Sequence, residues 1–71
     1  DLSMTKFEAD KIYALRGGGI GHILTVIDGR AFGYWEIGPD RGGADWDAET
    51  GLYHIHQGRM DLVNPATTYN R

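Results

Sequence analysis

The stretch that decides the fold runs from residue 20 to residue 37 and reads IGHILTVIDGRAFGYWEI. Asp28 and Gly29 separate two β-rich runs, and an Asp-Gly pair between apolar runs is one of the strongest signals for a hairpin turn. Both faces of the first run are apolar, which predicts a central strand covered on two sides. The second run carries four large side chains within six positions: Phe32, Tyr34, Trp35 and Ile37. The hairpin is therefore predicted to hold much of the core.

Short runs punctuated by glycine surround this hairpin. Residues 11–16 and residues 52–57 alternate in the way that predicts strands. The triplet at residues 17–19 predicts a tight turn, because glycine adopts positive φ at little steric cost. Residues 38–43 predict a loop. Gly33 interrupts the second run of the hairpin and indicates a bulge or a close backbone approach.

The remaining elements are a short strand around Trp46 and a last strand or 3₁₀ turn at residues 60–63. Asp45 and Asp47 flank Trp46 and point to the opposite face of this strand, so Trp46 is predicted to be buried. About five short strands result, and strands this short close up to protect their edges. We predict an all-β chain, either a small SH3-like barrel or a strongly bent antiparallel meander. Residues 11–63 form its single domain, after a polar lead-in at 1–10 whose Phe7 folds onto the barrel end and before a loose tail at 64–71.

Composition narrows the class of protein. The chain has 71 residues and no cysteine, which excludes disulfides and thiolate metal sites. Its net charge is -3, with 10 acidic and 7 basic residues, so the basic footprint of a nucleic-acid binder is missing. No apolar run approaches the ~20 residues that span a bilayer. The first residues lack a signal-peptide pattern. These features predict a cytoplasmic protein that contacts neither membrane nor nucleic acid directly.

The histidines are the most metal-like feature. His54 and His56 are two positions apart, so on a strand they share a face, and His22 on another strand is a candidate third ligand. No carboxylate stands at a spacing that completes such a site. We therefore predict neither a metal nor another cofactor, and a solvated strand face is the alternative interpretation.

Two other patterns resemble known sites but fail on detail. Asp45, Asp47 and Glu49 alternate like the start of a calcium loop, but the positions that need glycine and glutamate hold Thr50 and His56. The glycine triplet lacks the Lys-Ser or Lys-Thr pair of a phosphate-binding loop. The one serine is in the lead-in and there is no cysteine, so no residue is assigned a catalytic role.

The aromatic residues supply the best hint of a binding surface. Tyr34 and Trp35 are adjacent, so on a strand one faces the core and the other faces outward. The acidic segment that follows would steer the chain toward a basic partner surface. The predicted binding residues are Tyr34, Trp35, Glu36, Asp40, Arg41, Asp45, Asp47 and Glu49.

The order of several short motifs resembles that of short uncharacterised proteins encoded by phages and prophages. These motifs are Tyr13, Arg16 with the glycine triplet, Ile23-Leu24, Trp46, Gly51-x-Tyr53 and Asp61-Leu62-Val63. Residues 31–34 depart from the pattern, which has a Pro-containing aliphatic strand there. The resemblance implies a β-rich fold, a phage or mobile-element setting and non-enzymatic action. By analogy, small acidic phage proteins bind host proteins, including defence complexes.

Taken together, the sequence predicts a non-enzymatic module that binds a host or phage protein, with inhibition of a host-defence complex as one form. The alternative is a small-ligand binder or small enzyme whose site lies between identical subunits. Because both faces of the first hairpin strand are apolar, a homodimer or higher oligomer is also predicted.

Overall fold

The computed structural model describes residues 6–55 and 58–69 of the chain. Five antiparallel strands form one sheet in the order β4-β3-β2-β1-β5, and the sheet curls strongly into a half-barrel. A 3₁₀ turn at Gly58–Met60 precedes the last strand. The strands are β1 Lys11–Leu15, β2 Ile20–Ile27, β3 Arg30–Ile37, β4 Asp40–Asp47 and β5 Leu62–Val63. The prediction of an all-β, strongly bent meander is confirmed.

The β2–β3 hairpin turns at the predicted Asp-Gly pair. Ile27 pairs with Arg30, so Asp28 and Gly29 are the two turn residues. Their φ angles are 51° and 79°. Positive φ at both central positions is what the right-handed twist of a two-residue hairpin requires, and this explains why the pair specifies the turn.

A bulge on β2 changes which of its side chains face the core. The register shifts between Ile23 and Thr25, so Leu24 is the extra residue. Ile23 is buried and Val26 packs against the core, whereas Leu24 is 60% exposed. The prediction that both faces of this strand are covered is therefore wrong, because the bulge interrupts the alternation on which it rested.

Gly33 lies opposite this bulge and confirms the predicted close approach. It pairs with Ile23, and a Cβ on Gly33 would overlap the carbonyl oxygen of His22. Only a residue without a side chain allows β2 and β3 to come this close at the bulge.

Residues 38–43 are mostly strand, which corrects the predicted loop. Only Gly38 and Pro39 form the turn, and β4 begins at Asp40. Gly42 pairs with Trp35, whose indole lies where a side chain at 42 would be: an ideal Cβ would stand 2.7 Å from the Cζ2 of Trp35. The glycines that indicated a loop are thus strand residues that make room for a neighbouring ring.

Residues 52–55 do not form the predicted strand, and residues 56 and 57 lie outside the described part of the chain. Tyr53 makes one isolated bridge with Trp46. Leu52 O accepts the N–H of Asp47 at 2.8 Å, and Asp45 O accepts the N–H of His54 at 3.0 Å. This short segment therefore covers the second half of the β4 edge without forming a strand of its own.

The core centres on Trp46, which is fully buried as predicted and donates from Nε1 to the carbonyl oxygen of Met60 at 2.8 Å. Phe7 is also buried, in edge contact with Tyr13 at a centroid distance of 4.8 Å. The predicted packing of Phe7 onto the sheet is thus confirmed, while residues 1–5 lie outside the described ranges. The buried hydrophobic residues are Phe7, Tyr13, Leu15, Ile23, Ala31, Trp46, Ala48, Met60 and Leu62.

The chain after β5 follows β1 as far as the structure describes it. Asn64 has a φ of 55°, and its carbonyl oxygen accepts the N–H of Thr67 at 2.9 Å. The N–H of Tyr69 then donates to Ile12 O at 2.9 Å. The tail thus extends the outer edge beside β1, and residues 70 and 71 lie beyond the described part.

Trp46→Ala is expected to lower the free energy of unfolding by about 3–5 kcal/mol, because it removes the largest buried side chain. Trp46→Phe keeps most of the volume but leaves the Met60 carbonyl without its donor, which should cost about 1–3 kcal/mol. Urea denaturation followed by circular dichroism measures both. An Ala variant with unchanged unfolding would show that Trp46 does not support the core.

Gly33→Ala and Gly43→Ala form a matched pair of strand substitutions. Gly33→Ala should lower the free energy of unfolding by about 1–3 kcal/mol or more, because the added Cβ would overlap the backbone of β2. Nothing lies within 4 Å of a Cβ at Gly43, so Gly43→Ala should unfold at nearly the wild-type urea concentration. Equal midpoints for the two variants would contradict the close approach at Gly33.

Candidate functional site

A groove of about 350 Å³ opens beside the β1–β2 turn. Two of its aliphatic side chains lie at the surface: Ile37 is 37% exposed and Ile55 is 52% exposed. Aromatic rings and one guanidinium complete the lining, which consists of Gly17, Gly18, Trp35, Ile37, Tyr53, Ile55, Arg59 and Met60. The groove therefore combines accessible apolar surface with a single positive charge.

Trp35 reaches the groove from the core face of the sheet. It is partly buried and packs against the core cluster, whereas its neighbour Tyr34 lies on the outer, convex face against His22. The prediction that these two adjacent rings face opposite ways is confirmed. Gly42 leaves room for the indole, because a side chain at position 42 would occupy the same space.

Tyr53 forms another wall of the groove and is held in place by Asp61. The backbone N–H of Tyr53 donates to the Asp61 Oδ1 at 2.9 Å. Asp61 is buried, and its own carbonyl oxygen accepts the N–H of Arg16 at 2.8 Å. A buried carboxylate that accepts a backbone N–H positions that backbone firmly, so Asp61 supports the wall rather than contacting a ligand.

Arg59 brings the charge to the groove. Its carbonyl oxygen accepts the N–H of Gly17 at 2.8 Å, which ties the 3₁₀ turn to the β1–β2 turn. Its exposed side chain has no ion pair with any carboxylate of residues 6–55 or 58–69. The guanidinium can therefore donate hydrogen bonds to a carbonyl or carboxylate that enters the groove.

Three of the predicted binding residues meet in a polar cluster on the convex face. Glu36 accepts from the Nε2 of His22 at 2.7 Å through one oxygen and from Arg41 at 2.6 Å through the other. The rings of His22 and Tyr34 stack 4.2 Å apart, and the Arg41 guanidinium lies 5.9 Å from the Tyr34 centroid. The Glu36 side chain is only 12% exposed. The cluster joins β2, β3 and β4 across the sheet.

The predicted acidic residues divide into paired and exposed ones. Asp45 pairs with Arg30 at 2.8 Å and with His54 at 3.1 Å. Asp47 accepts the backbone N–H groups of Glu49 and Thr50 through one oxygen and so closes the turn after β4. Within the described ranges, Asp40 and Glu49 are exposed and make no ion pair.

The two histidines in the described part of the chain bond two different carboxylates. His22 bonds Glu36 and His54 bonds Asp45, while His56 lies outside the described residues. Among the residues described, no group of three or more His, Cys, Asp and Glu side chains is placed to hold a metal ion.

Of the residues that line the groove, the predicted binding set contained Trp35 alone. Tyr53, Ile55, Arg59 and Met60 come from a segment that was predicted as strand and turn, and nothing local shows that it folds over Trp35. The one available signal was the Gly42-Gly43 pair, which follows an aromatic strand at a spacing that places Gly42 opposite Trp35.

No protein-family model matches this chain, and neither a curated protein nor a solved structure matches it. Within the described ranges, no helix has the length and apolar character that crossing a membrane requires.

Asp47 makes the stability of the fold depend on pH. Hydrogen bonds from the backbone N–H groups of Thr50 and Glu49 lower the pKa of its carboxyl below the usual value. The carboxylate therefore stabilises the fold above the unfolded-state pKa of about 3.9, and this contribution is lost as the pH falls through the folded-state pKa.

Asp47→Asn keeps an acceptor oxygen but cannot titrate, so its urea midpoint should fall less than that of wild type as the pH drops below about 4. Asp47→Ala loses the acceptor and should be less stable than wild type at pH 7 as well. Urea titrations from pH 2 to pH 7 measure both effects. Parallel wild-type and Asn curves would contradict the role of Asp47.

Proposed function

We propose that this chain is a non-enzymatic protein-binding module whose groove receives an apolar side chain of a partner protein. The single observation that carries the proposal is the exposed apolar rim of the groove, where Ile37 and Ile55 flank the Trp35 indole. Accessible aliphatic and aromatic groups around a concave site are typical of interface anchors.

The chemistry of the groove favours one anchoring side chain with a polar group beside it. A volume of about 350 Å³ suits a large aliphatic or aromatic side chain. Arg59 can donate to a backbone carbonyl or to a carboxylate of the segment that carries the anchor. Trp35 and Arg59 are also residue types that dominate binding energy at interfaces.

The negative charge of the chain would speed the approach of a basic partner and would not form part of the groove contact. The net charge is -3, and Asp40 and Glu49 are exposed without an ion pair among the residues described. Such a surface accelerates encounter with a basic partner in a way that falls with salt. Tyr34, Glu36, Arg41, Asp45 and Asp47 hold the sheet and the turn, so their part in binding is to shape this face.

The resemblance to phage and prophage proteins suggests the kind of partner. We propose a host or phage protein inside the host cytoplasm, and inhibition of a host-defence complex is one form that such binding would take. We also propose that the chain self-associates, because a domain of 71 residues buries only about 60% of its unfolded surface and gains stability from a partner copy.

A second candidate function is the binding of a small apolar ligand. The groove volume falls within the range of about 300–1,000 Å³ that is typical of small-molecule sites. A small molecule that co-purifies in a 1:1 ratio, with no captured protein, would favour this candidate over a protein partner.

Ile55→Asp is expected to reduce capture of a stoichiometric protein from host-cell lysate at least about tenfold, because it buries a charge in the groove contact. Leu24→Asp is the matched control, since Leu24 is a similarly exposed aliphatic residue on β2 and does not line the groove. Pull-down followed by mass spectrometry compares the two variants, with circular dichroism to verify folding.

Loss of capture by Ile55→Asp alone would support the groove as the binding site. Equal capture by both variants, or equal loss, would contradict it.

A further inference from the structure

The outer edge of β4 is occupied along only half of its length. Asp45 O and Asp47 N bond outward, away from β3, to the segment that contains Leu52 and His54. In an antiparallel strand every second residue directs its backbone groups to the same side. Gly43 and Arg41 therefore also direct their N–H and C=O groups outward. Within residues 6–55 and 58–69, no backbone group pairs with these two residues on that side.

We infer that two copies of this chain pair through this open edge, β4 against β4 in antiparallel orientation. Arg41 of one copy lies opposite Gly43 of the other, and Gly42 lies on the two-fold axis. Each Arg41–Gly43 pair exchanges two backbone hydrogen bonds, and the symmetry supplies the pair twice. This inference rests on the proposed self-association and specifies the β4 edge as the surface through which the two copies pair.

The register follows from the groups on the edge. A shift that placed Arg41 opposite Arg41 would oppose like charges. A shift that placed Gly43 opposite Gly43 would bring Arg41 opposite Asp45, whose outward carbonyl already accepts from His54. Pairing Arg41 with Gly43 uses both open residues and places Arg41 directly opposite neither Arg41 nor Asp45.

The side chains on the two faces permit this pairing. On the convex face Arg41 meets Gly43, where an ideal Cβ has nothing within 4 Å. The Arg41 side chain is 66% exposed and bonds Glu36 of its own copy. Asp45 of the other copy, with opposite charge, lies on one diagonal beside it, and Arg41 of the other copy lies on the other diagonal. On the other face Gly42 meets Gly42, each beneath the indole of its own Trp35. No bulky side chain separates the two edges.

Pairing of this kind has a consequence for binding. Residues opposite each other in an antiparallel pair share a face, so the grooves of the two copies lie on the same face of the joined sheet. A dimer then presents two grooves side by side, and a partner that carries two anchors would bind with avidity.

Light scattering and amide hydrogen exchange over a concentration series test the inference. The mass should rise from that of one chain, 7.9 kDa, to twice that value as the protein concentration increases. The amides of Arg41 and Gly43 should exchange at least about tenfold more slowly in the dimer. The amides of Gly42 and Ala44 are bonded to β3 and should stay protected at every concentration, which makes them internal controls.

Gly43→Pro removes the outward N–H of Gly43 and should leave the chain monomeric, whereas Gly43→Ala keeps the N–H and should still dimerise. A monomer at all concentrations would overturn both this inference and the proposed self-association. A dimer whose Arg41 and Gly43 amides exchange freely would overturn this inference alone. The same holds if the chain dimerises but its Arg41 and Gly43 amides are already protected at concentrations where it is monomeric, or if the Gly43→Pro variant dimerises like wild type.

Discussion

The closure of the curled sheet depends on Gly51. Its N–H donates to Asp47 O and its carbonyl oxygen accepts the N–H of Leu62, both at 2.8 Å, so one residue connects the end of β4 to β5. Its φ is 80°, and a Cβ there would lie 2.5 Å from Leu62 O. Only glycine satisfies both conditions. Beneath this connection Trp46 donates to Met60 O and fills the interior. The core and the groove wall both depend on this link between the sheet edges.

The polar residues of the convex face act mainly between strands. The Glu36 carboxylate connects His22 on β2 with Arg41 on β4, and Asp45 connects Arg30 with His54. The His22–Glu36 pair, whose side chains are 11% and 12% exposed, is shielded from solvent and therefore holds its strands more firmly than the more exposed pairs of Arg41, Arg30 and His54 do. A net negative chain thus uses several of its acids internally. In the binding role that we propose, recognition falls to the apolar groove, and the remaining acids act at longer range.

Local patterns predicted the parts of the fold that local physics decides. Asp28-Gly29 specified its hairpin because the turn needs positive φ at both residues, and Trp46 between two acids was correctly read as buried. The loop predicted at residues 38–43 was wrong, and so was the predicted strand that begins at residue 52, as far as residue 55 where the described segment ends. Gly42 alone predicts a loop, and only its pairing with Trp35 explains why a glycine stands in a strand there. The bulge at Leu24 interrupts the apolar alternation of β2, and no residue in the sequence marks its position. The groove escaped prediction because its walls come from segments distant in sequence.

Trp35 connects the fold, the groove and the open edge through one constraint. Its indole needs a residue without a side chain at position 42, and it then forms part of the groove lining. The same glycine leaves the β4 edge free of bulk on that face, where natural sheets often place a blocking side chain. Any larger residue at 42 would displace the indole, alter the groove and obstruct the edge together. The proposed partner binding and the proposed self-association would therefore both depend on a single pair of residues, Trp35 and Gly42.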